Sequence, residues 1–304
     1  MPMQCPLHQA LLFRDVSLTP EKQYVLTKLS LQQPLLRHAT PNLKTSAAET
    51  TKHNPQKKSI LHPDLKTIPR VETAYIIRFY RWHIDAALYD LSPPPTTLHA
   101  IRVPQGPKQI VRYDDGTGDE LSLPLGTTAF VSDQTMFQLL PSELKSLAVR
   151  TKVKYAPHPY SEGLEMAFDE LPPWSGEKIK VYPVLWKNPV TKALSFQVHP
   201  KLIINPLPAG IAREGALHPD GAHITDLKEV RELLYKMQRP AIAPSLVYPH
   251  DWHEKDLVLF HNRGILHSVV GAFTPDQVRM FHQCNLAASD NPIGSSDEDI
   301  IKWA

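Results

Sequence analysis

The sequence predicts a mixed α/β, β-rich fold: a β-barrel or jelly-roll core with a few covering helices. Three observations carry this. The 304 residues include 30 Pro and only 12 Gly, which limits long helices and favours short strands with rigid connections. Short runs rich in apolar and β-branched residues recur between turn residues. The residues that could hold a metal lie far apart along the chain, as they do when a sheet gathers them.

A chain of this length can bury a sizeable core, and one domain over 1–304 is expected. Hydrophobic content of 42% and charged content of 21% are ordinary for a globular protein. A net charge of +2 gives no basic field for nucleic acid or an anionic membrane. Two cysteines, Cys5 and Cys284, make no disulfide framework. There is no apolar run of about 18 residues, and the first residues lack a signal-peptide pattern. A soluble, cytoplasmic protein is the expectation.

In chain order, residues 11–16 read as a strand. Thr19 as N-cap and Pro20 at the first helical position start a helix through Leu29. Residues 32–58 show no period and read as a poorly ordered loop. Residues 59–69 are turn-rich, and a strand begins near Ala74. Residues 100–103 and 109–113 read as paired strands, followed by a loop over 114–119. Residues 125–131 form another strand. Ser132 and Ser142 cap helices over 133–140 and 143–150. Residues 178–186 and 193–198 flank a hairpin turn. Leu227 to Gln238 is the clearest helix, with Asp226 and Glu229 at its start. Residues 256–260 and 278–284 are strands, and 290–304 reads as a loose tail.

Chemistry concentrates in one of these strands. In Phe79-Tyr80-Arg81-Trp82-His83-Ile84-Asp85, residues two apart share a face, so His83 and Asp85 point the same way. His-x-Asp occurs three times, but His62-Pro63-Asp64 and His218-Pro219-Asp220 have Pro in the middle and read as loops. A His and a carboxylate on one face are two thirds of the facial triad that holds non-haem Fe(II) and leaves positions open. Near the C-terminus, a strand ending at Phe260, a turn at Arg263-Gly264 and a second run reach His267. Twelve residues later comes Arg279 on its own strand. Iron held by His83, Asp85 and His267 would accept a 2-oxo acid and O2. The far carboxylate of 2-oxoglutarate then needs a cation, and the planar fork of Arg suits it. The competing readings are a core His267 and an Arg279 paired at the surface. His218, His223, His250 and His253 lie in Pro- and Asp-rich stretches and read as surface residues. Cys284 reads as a buried strand residue.

Trp82-His83-Ile84-Asp85, Gly126-Thr127-Thr128-Ala129-Phe130, Asn262-Arg263 before His267, and Arg279 together resemble the taurine dioxygenase-like family of Fe(II)/2-oxoglutarate dioxygenases. Within it, residues 78–89 and 59–69 are similar to the fungal xanthine dioxygenases. The resemblance covers residues 11–26 and most of the chain from Ser59. It implies a double-stranded β-helix, with His83, Asp85 and His267 as iron ligands. It also implies Thr128 and Arg279 as cosubstrate contacts and Asn285 beside the purine. The implied reaction couples conversion of 2-oxoglutarate to succinate and CO2 with hydroxylation of xanthine to uric acid. The chain departs from the subgroup between Pro69 and Arg78. The longer segment there, with Gln, Lys and acidic residues facing the purine, is replaced by residues 70–77. That departure reads as a shortened gene product. It keeps two alternatives open: a sulfonate or other small-anion substrate, and a truncated, inactive metal-binding homologue.

Overall fold

The structure, a computed structural model, describes residues 9–30, 42–48, 75–79, 81–85, 91–155, 180–197, 202–205, 207–208, 210–211, 214–271, 273–274 and 277–303. The first half of the chain contains β1 (Ala10–Phe13), α1 (Pro20–Leu29), β2 (Asn42–Ala48), β3 (Ile76–Ile77), β4 (Pro95–Arg102), β5 (Gln109–Arg112), β6 (Glu120–Leu123) and β7 (Thr128–Ser132). Then come α2 (Asp133–Gln138), α3 (Ser142–Arg150), β8 (Thr151–Tyr155), β9 (Lys180–Pro183), β10 (Leu185–Lys187), β11 (Leu194–Phe196), β12 (Leu202–Ile204) and β13 (Ala222–Ile224). The C-terminal part holds α4 (Leu227–Gln238), β14 (Tyr248–His250), β15 (Leu257–His261), β16 (Ile265–Val269), β17 (Arg279–Asn285) and α5 (Asp297–Trp303). The fold is therefore strand-rich and mixed, as its Pro-dense sequence predicts.

Two sheets position the site. One is five-stranded and antiparallel, in the order β1-β15-β4-β17-β2. The other is three-stranded, in the order β14-β7-β16. Leu98, Ala100, Val258, Phe260 and Phe281 of the first pack in one cluster with Phe130 and Ile265 of the second. The sheets thus face each other, and Phe130 meets Phe260 edge-on at 5.4 Å. β15 and β16 are consecutive in sequence but lie in different sheets, so the turn between them crosses from one to the other.

Strand alternation explains the outer face too. Thr97 points away from the cluster, toward α1, where Thr27 Oγ1 lies 2.8 Å from Thr97 Oγ1. Gln23 Nε2 donates to Thr97 Oγ1 at 3.1 Å and to the His282 carbonyl at 3.0 Å. The Gln23 amide nitrogen and the Thr27 hydroxyl that this helix buries at the sheet are thus paired with polar groups. Helices α2, α3 and α4 build the larger core, through Met136, Phe137, Leu147, Val230 and Met237 against Trp186 and Phe196. The caps follow the sequence: Thr19, Ser132 and Asp226 accept from Lys22, Thr135 and Glu229 amides.

Several expectations are corrected. Residues 100–103 and 109–113 do not pair: β4 lies between β15 and β17, whereas β5 pairs with β6 and β3. The turn over 114–119 closes the β5–β6 hairpin instead. Ser142 is the first residue of α3 rather than its cap, and Pro141 at the cap offers no side-chain bond. Within 32–58, Asn42–Ala48 forms β2 against β17. Edge pairing runs through backbone groups, which leave no side-chain period to read; the rest of 32–58 lies outside the described residues. The tail carries α5, whose Trp303 ring meets Phe137 at 5.4 Å and whose Asp299 accepts from Lys187 Nζ at 2.6 Å. No described helix is long and apolar enough to cross a membrane.

Candidate active site

The segment carrying His83 is extended but makes only an isolated bridge. From Arg81 to Asp85 its burial alternates: Trp82 and Ile84 join Phe79 in the larger core, whereas Arg81, His83 and Asp85 are half-buried. Phe79 and Trp82 rings at 4.7 Å anchor the apolar side. The bridge partner is His267 of β16. His83 N donates to the His267 carbonyl at 3.0 Å, and His267 N donates to the His83 carbonyl at 2.9 Å. This reciprocal pair brings the two imidazoles to 4.3 Å between centroids. His267 Nε2 lies 3.6 Å from Asp85 Oδ1. One ligand atom from each of His83, Asp85 and His267 falls within 4.8 Å of the others.

Three polar residues, Asn262 and Asp133 buried and Arg263 half-buried, fix this arrangement. Asn262 Oδ1 accepts from Asp85 N at 2.8 Å. Asn262 Nδ2 donates to the carbonyls of Asp85 and Pro93, each at 2.9 Å. The crossing turn thereby clamps the backbone that bears the carboxylate. Arg263 donates through Nη2 to the Ser92 carbonyl at 2.6 Å, tying down the entry to β4. Asp133 accepts from Leu266 N at 2.8 Å and from Gln197 Nε2 at 2.8 Å, so the strand just before His267 is held as well. Burial drives the Asp133 carboxyl well above the usual carboxylate range. Asn262→Ala should weaken Fe(II) affinity about 10- to 100-fold and lower unfolding stability by about 1–3 kcal/mol, because Asp85 N–H loses its acceptor. Metal titration and denaturant melts of the same variant check both effects.

The electrostatics suit a cation. Burial, helped by the charges of Arg81 and Arg279, holds His267 below its ordinary pKa against the opposing pull of Asp85. The imidazole therefore stays neutral and able to bind metal. Asp85 Oδ2 and His267 Nδ1 are buried without a hydrogen-bond partner among the described residues. Two imidazoles and a carboxylate at this spacing fit the donor set of a non-haem iron centre. Phe130 and Phe260 flank His267, with ring centroids at 6.1 and 5.2 Å, and limit water beside it.

Arg279 begins β17 and is buried. Nε donates to the Gly126 carbonyl at 2.9 Å, Nη2 donates to Thr128 Oγ1 at 2.9 Å, and the guanidinium stacks 4.0 Å over Phe281. Among the described residues no carboxylate pairs with it. Burial pushes its pKa down to about 9. Gly126 makes the close approach possible: its φ is +78°, and a Cβ there would meet Pro104 Cγ at 2.7 Å. Thr128 and Arg279 are thus joined directly, and Trp252 Nε1 donates to the same Thr128 hydroxyl at 3.1 Å. Asn285 ends β17, six residues and roughly 20 Å of strand beyond Arg279. It pairs in register with Thr96, which pairs with Phe260, the residue edge-on to His267. Asn285 Oδ1 is buried without a described partner.

Sequence reasoning misplaced one histidine. His218, His223 and His253 are exposed, but His250 is fully buried. It lies 3.3 Å from Asp256 Oδ2 and 3.0 Å from the Tyr248 hydroxyl. Pro249 suggests a loop, yet among the described residues β14 is an edge strand paired with β7 alone, where a missing backbone donor is tolerated. Trp252, Asp133 and Gln197 carry no motif that marks them; the aromatic Trp252 two residues beyond His250 is the one signal that pointed inward, and both are buried whereas Tyr248 is exposed.

Residues 7–285 match the family described as "Taurine catabolism dioxygenase TauD, TfdA family". The chain is 43% identical to the alpha-ketoglutarate-dependent xanthine dioxygenase xan-1 of Neurospora crassa, over 96% of this chain and 80% of that protein. It is 41% identical to xan1 of Schizosaccharomyces pombe, over 96% and 81%. It is 45% identical to xanA of Emericella nidulans, over 78% and 76%. The Neurospora alignment runs over 354 positions against 304 residues here, so dozens of positions in that relative have no counterpart in this chain. Among solved structures, AAD-2 in complex with Mn(II) and N-oxalylglycine superposes with a TM-score of 0.56 at 16% identity, over 94% of this chain and 85% of that one. A taurine dioxygenase from Burkholderia xenovorans gives 0.55 at 15% identity, over 94% and 79%. By family match and by identity to these relatives, the chain belongs to the TauD, TfdA family of dioxygenases.

Proposed function

We propose that this protein is an Fe(II)- and 2-oxoglutarate-dependent dioxygenase that hydroxylates xanthine to uric acid, with succinate and CO2 as coproducts. One observation carries the class: His83, Asp85 and His267 converge within 4.8 Å, in a fold whose buried Arg279 lacks an anionic partner among the described residues. The substrate rests on the 41–45% identity to fungal xanthine dioxygenases. In this reading the two facing sheets form a double-stranded β-helix, within a single domain over 1–304. With Cys284 buried and free, a cytoplasmic location is part of the same reading.

The geometry supports the following roles. His83, Asp85 and His267 hold the iron, which supplies the redox chemistry that activates O2. Arg279 takes the far carboxylate of 2-oxoglutarate through a free edge of its fork, oriented by its bonds to Gly126 and Thr128. Thr128 Oγ1 accepts from both Arg279 and Trp252, so its own proton can point to the cosubstrate. Asn285, in the row with Thr96 and Phe260, offers an amide to the purine edge. Phe130 and Phe260 keep water from the reacting face.

A second reading has a specific motive. Residues 70–77 replace the longer purine-facing segment of the subgroup; 70–74 lie outside the described residues, and the aligned relative carries dozens of extra positions. A sulfonate or other small anion could be the substrate, or the protein could bind metal without turnover. Succinate release with Fe(II), 2-oxoglutarate and O2, with and without xanthine, separates these. Strong stimulation with matching uric acid supports the proposal, and stimulation only by another anion reassigns the substrate. A folded, iron-loaded protein that releases no succinate defeats the enzyme reading. Sequencing the transcript across residues 69–78 tests the shortened product.

A further inference from the structure

Arg279 and Thr128 belong to a closed ring of four buried side chains. Arg279 Nη2 donates to Thr128 Oγ1 at 2.9 Å, and Trp252 Nε1 donates to the same oxygen at 3.1 Å. On the other side the Arg279 guanidinium lies 4.0 Å over the Phe281 ring, and Phe281 meets Trp252 edge-on at 4.7 Å. Trp252 therefore supports the cation twice, through the hydroxyl and through the aromatic ring beneath it. It is itself seated by a pair that no step above uses. The His250 ring meets Trp252 edge-on at 4.3 Å. His250 Nε2 and Asp256 Oδ2 lie 3.3 Å apart, both residues fully buried. The Asp256 carboxylate also accepts from Arg14 Nη1 and His253 N. A carboxylate only accepts, so His250 Nε2 donates to it and Nδ1 accepts from the Tyr248 hydroxyl at 3.0 Å. A neutral imidazole makes both bonds, and burial favours that form by lowering the His250 pKa against the pull of Asp256.

The hydroxyl of Thr128 shows what this support does. It has two lone pairs and one proton. Arg279 and Trp252 occupy both lone pairs, so the proton is left to donate in one direction. Without the indole N–H a lone pair is freed, and the hydroxyl can turn away from a ligand that only accepts. We infer that Trp252 is a positioning residue for the cosubstrate: seated by His250 and Phe281, it fixes the Thr128 hydroxyl as a donor to the far carboxylate of the 2-oxo acid. The inference rests on the function proposed above and deepens it. It makes the preference for a dicarboxylate depend on a side chain that acts only through its neighbours. None of His83, Asp85 and His267 is a member of the ring, so the effect falls on the far carboxylate and spares the end that chelates the metal.

The test is a calorimetric titration of the full chain loaded with Zn(II), so that no turnover intervenes. Two chelators are compared: N-oxalylglycine, which carries a far carboxylate, and oxalate, which does not. Trp252→Phe keeps an aromatic ring between His250 and Phe281 and removes the N–H. It should lose about 3- to 10-fold in N-oxalylglycine affinity, with oxalate affinity moving by no more than about twofold. In a Thr128→Val background the same change should cost less than about twofold, because the indole has lost its acceptor. Unchanged N-oxalylglycine binding in Trp252→Phe overturns the inference. An equal loss for both chelators also overturns it, and leaves Trp252 a merely structural residue. If Trp252→Phe does not fold, the five indole N–H signals of nitrogen-15-labelled protein decide. One of them should move on Thr128→Val and also when N-oxalylglycine, but not oxalate, binds the wild type; no such signal rejects the role. Wild type that binds oxalate but not N-oxalylglycine brings down the 2-oxoglutarate reading itself, before any variant is compared.

Discussion

Asp85→Ala is expected to abolish xanthine-stimulated succinate release and to leave the protein folded but poor in iron. Asp85 supplies the one carboxylate of the three-residue cluster, and two neutral imidazoles alone give the cation no charge compensation. Removing a partner outside the ligand shell typically costs about 10- to 100-fold in metal affinity, so loss of a ligand should exceed about 100-fold. The backbone clamp does not depend on the side chain: Asn262 bonds to Asp85 N and O, which alanine keeps. Melting temperature should therefore change little while bound iron, measured by elemental analysis, falls away. Turnover or full iron occupancy in Asp85→Ala would refute the triad.

Arg279→Lys should raise the KM for 2-oxoglutarate about 10- to 100-fold, with iron affinity nearly unchanged. The buried guanidinium spends Nε on Gly126 and one Nη2 bond on Thr128, and its remaining donors form the face open to a carboxylate. An ammonium cannot satisfy both protein acceptors and still offer two parallel donors. A charge-assisted hydrogen bond is worth about 1.5–3 kcal/mol, and each 1.4 kcal/mol is tenfold. Saturating 2-oxoglutarate should restore much of kcat, since the lysine still supplies charge. An unchanged KM would remove Arg279 from the cosubstrate site.

What could be read from the sequence, and what could not, divides along physical lines. Local signals were legible: the capped helices α1 and α4, the strand at β15, and the shared face of His83 and Asp85. Each depends on a period or a cap within a few residues. The ordered set His83, Asp85, His267 and Arg279 pointed to one chamber because its chemistry needs all four. Strand partnership was not legible. β4 and β5 are neighbours in sequence yet belong to different sheets, since pairing is decided by backbone bonds and packing far along the chain. The buried His250 hid behind Pro249, which is harmless on an edge strand. Asp133 looked like an ordinary polar residue, and Asn262 stood out only within the family resemblance, because their value lies in backbone groups more than a hundred residues away.

The main-chain pairing of His83 with His267 has a consequence for iron supply. The two imidazoles proposed as ligands come from distant parts of the chain and are already tied by reciprocal backbone bonds of 2.9 and 3.0 Å that need no ion. Most of the ordering entropy of chelation is then spent during folding and not during loading. Such a site differs from a zinc finger, whose chain has no fold until the metal arrives. A polypeptide made while iron is scarce would reach its mature shape empty and wait, ready to be charged when the metal returns.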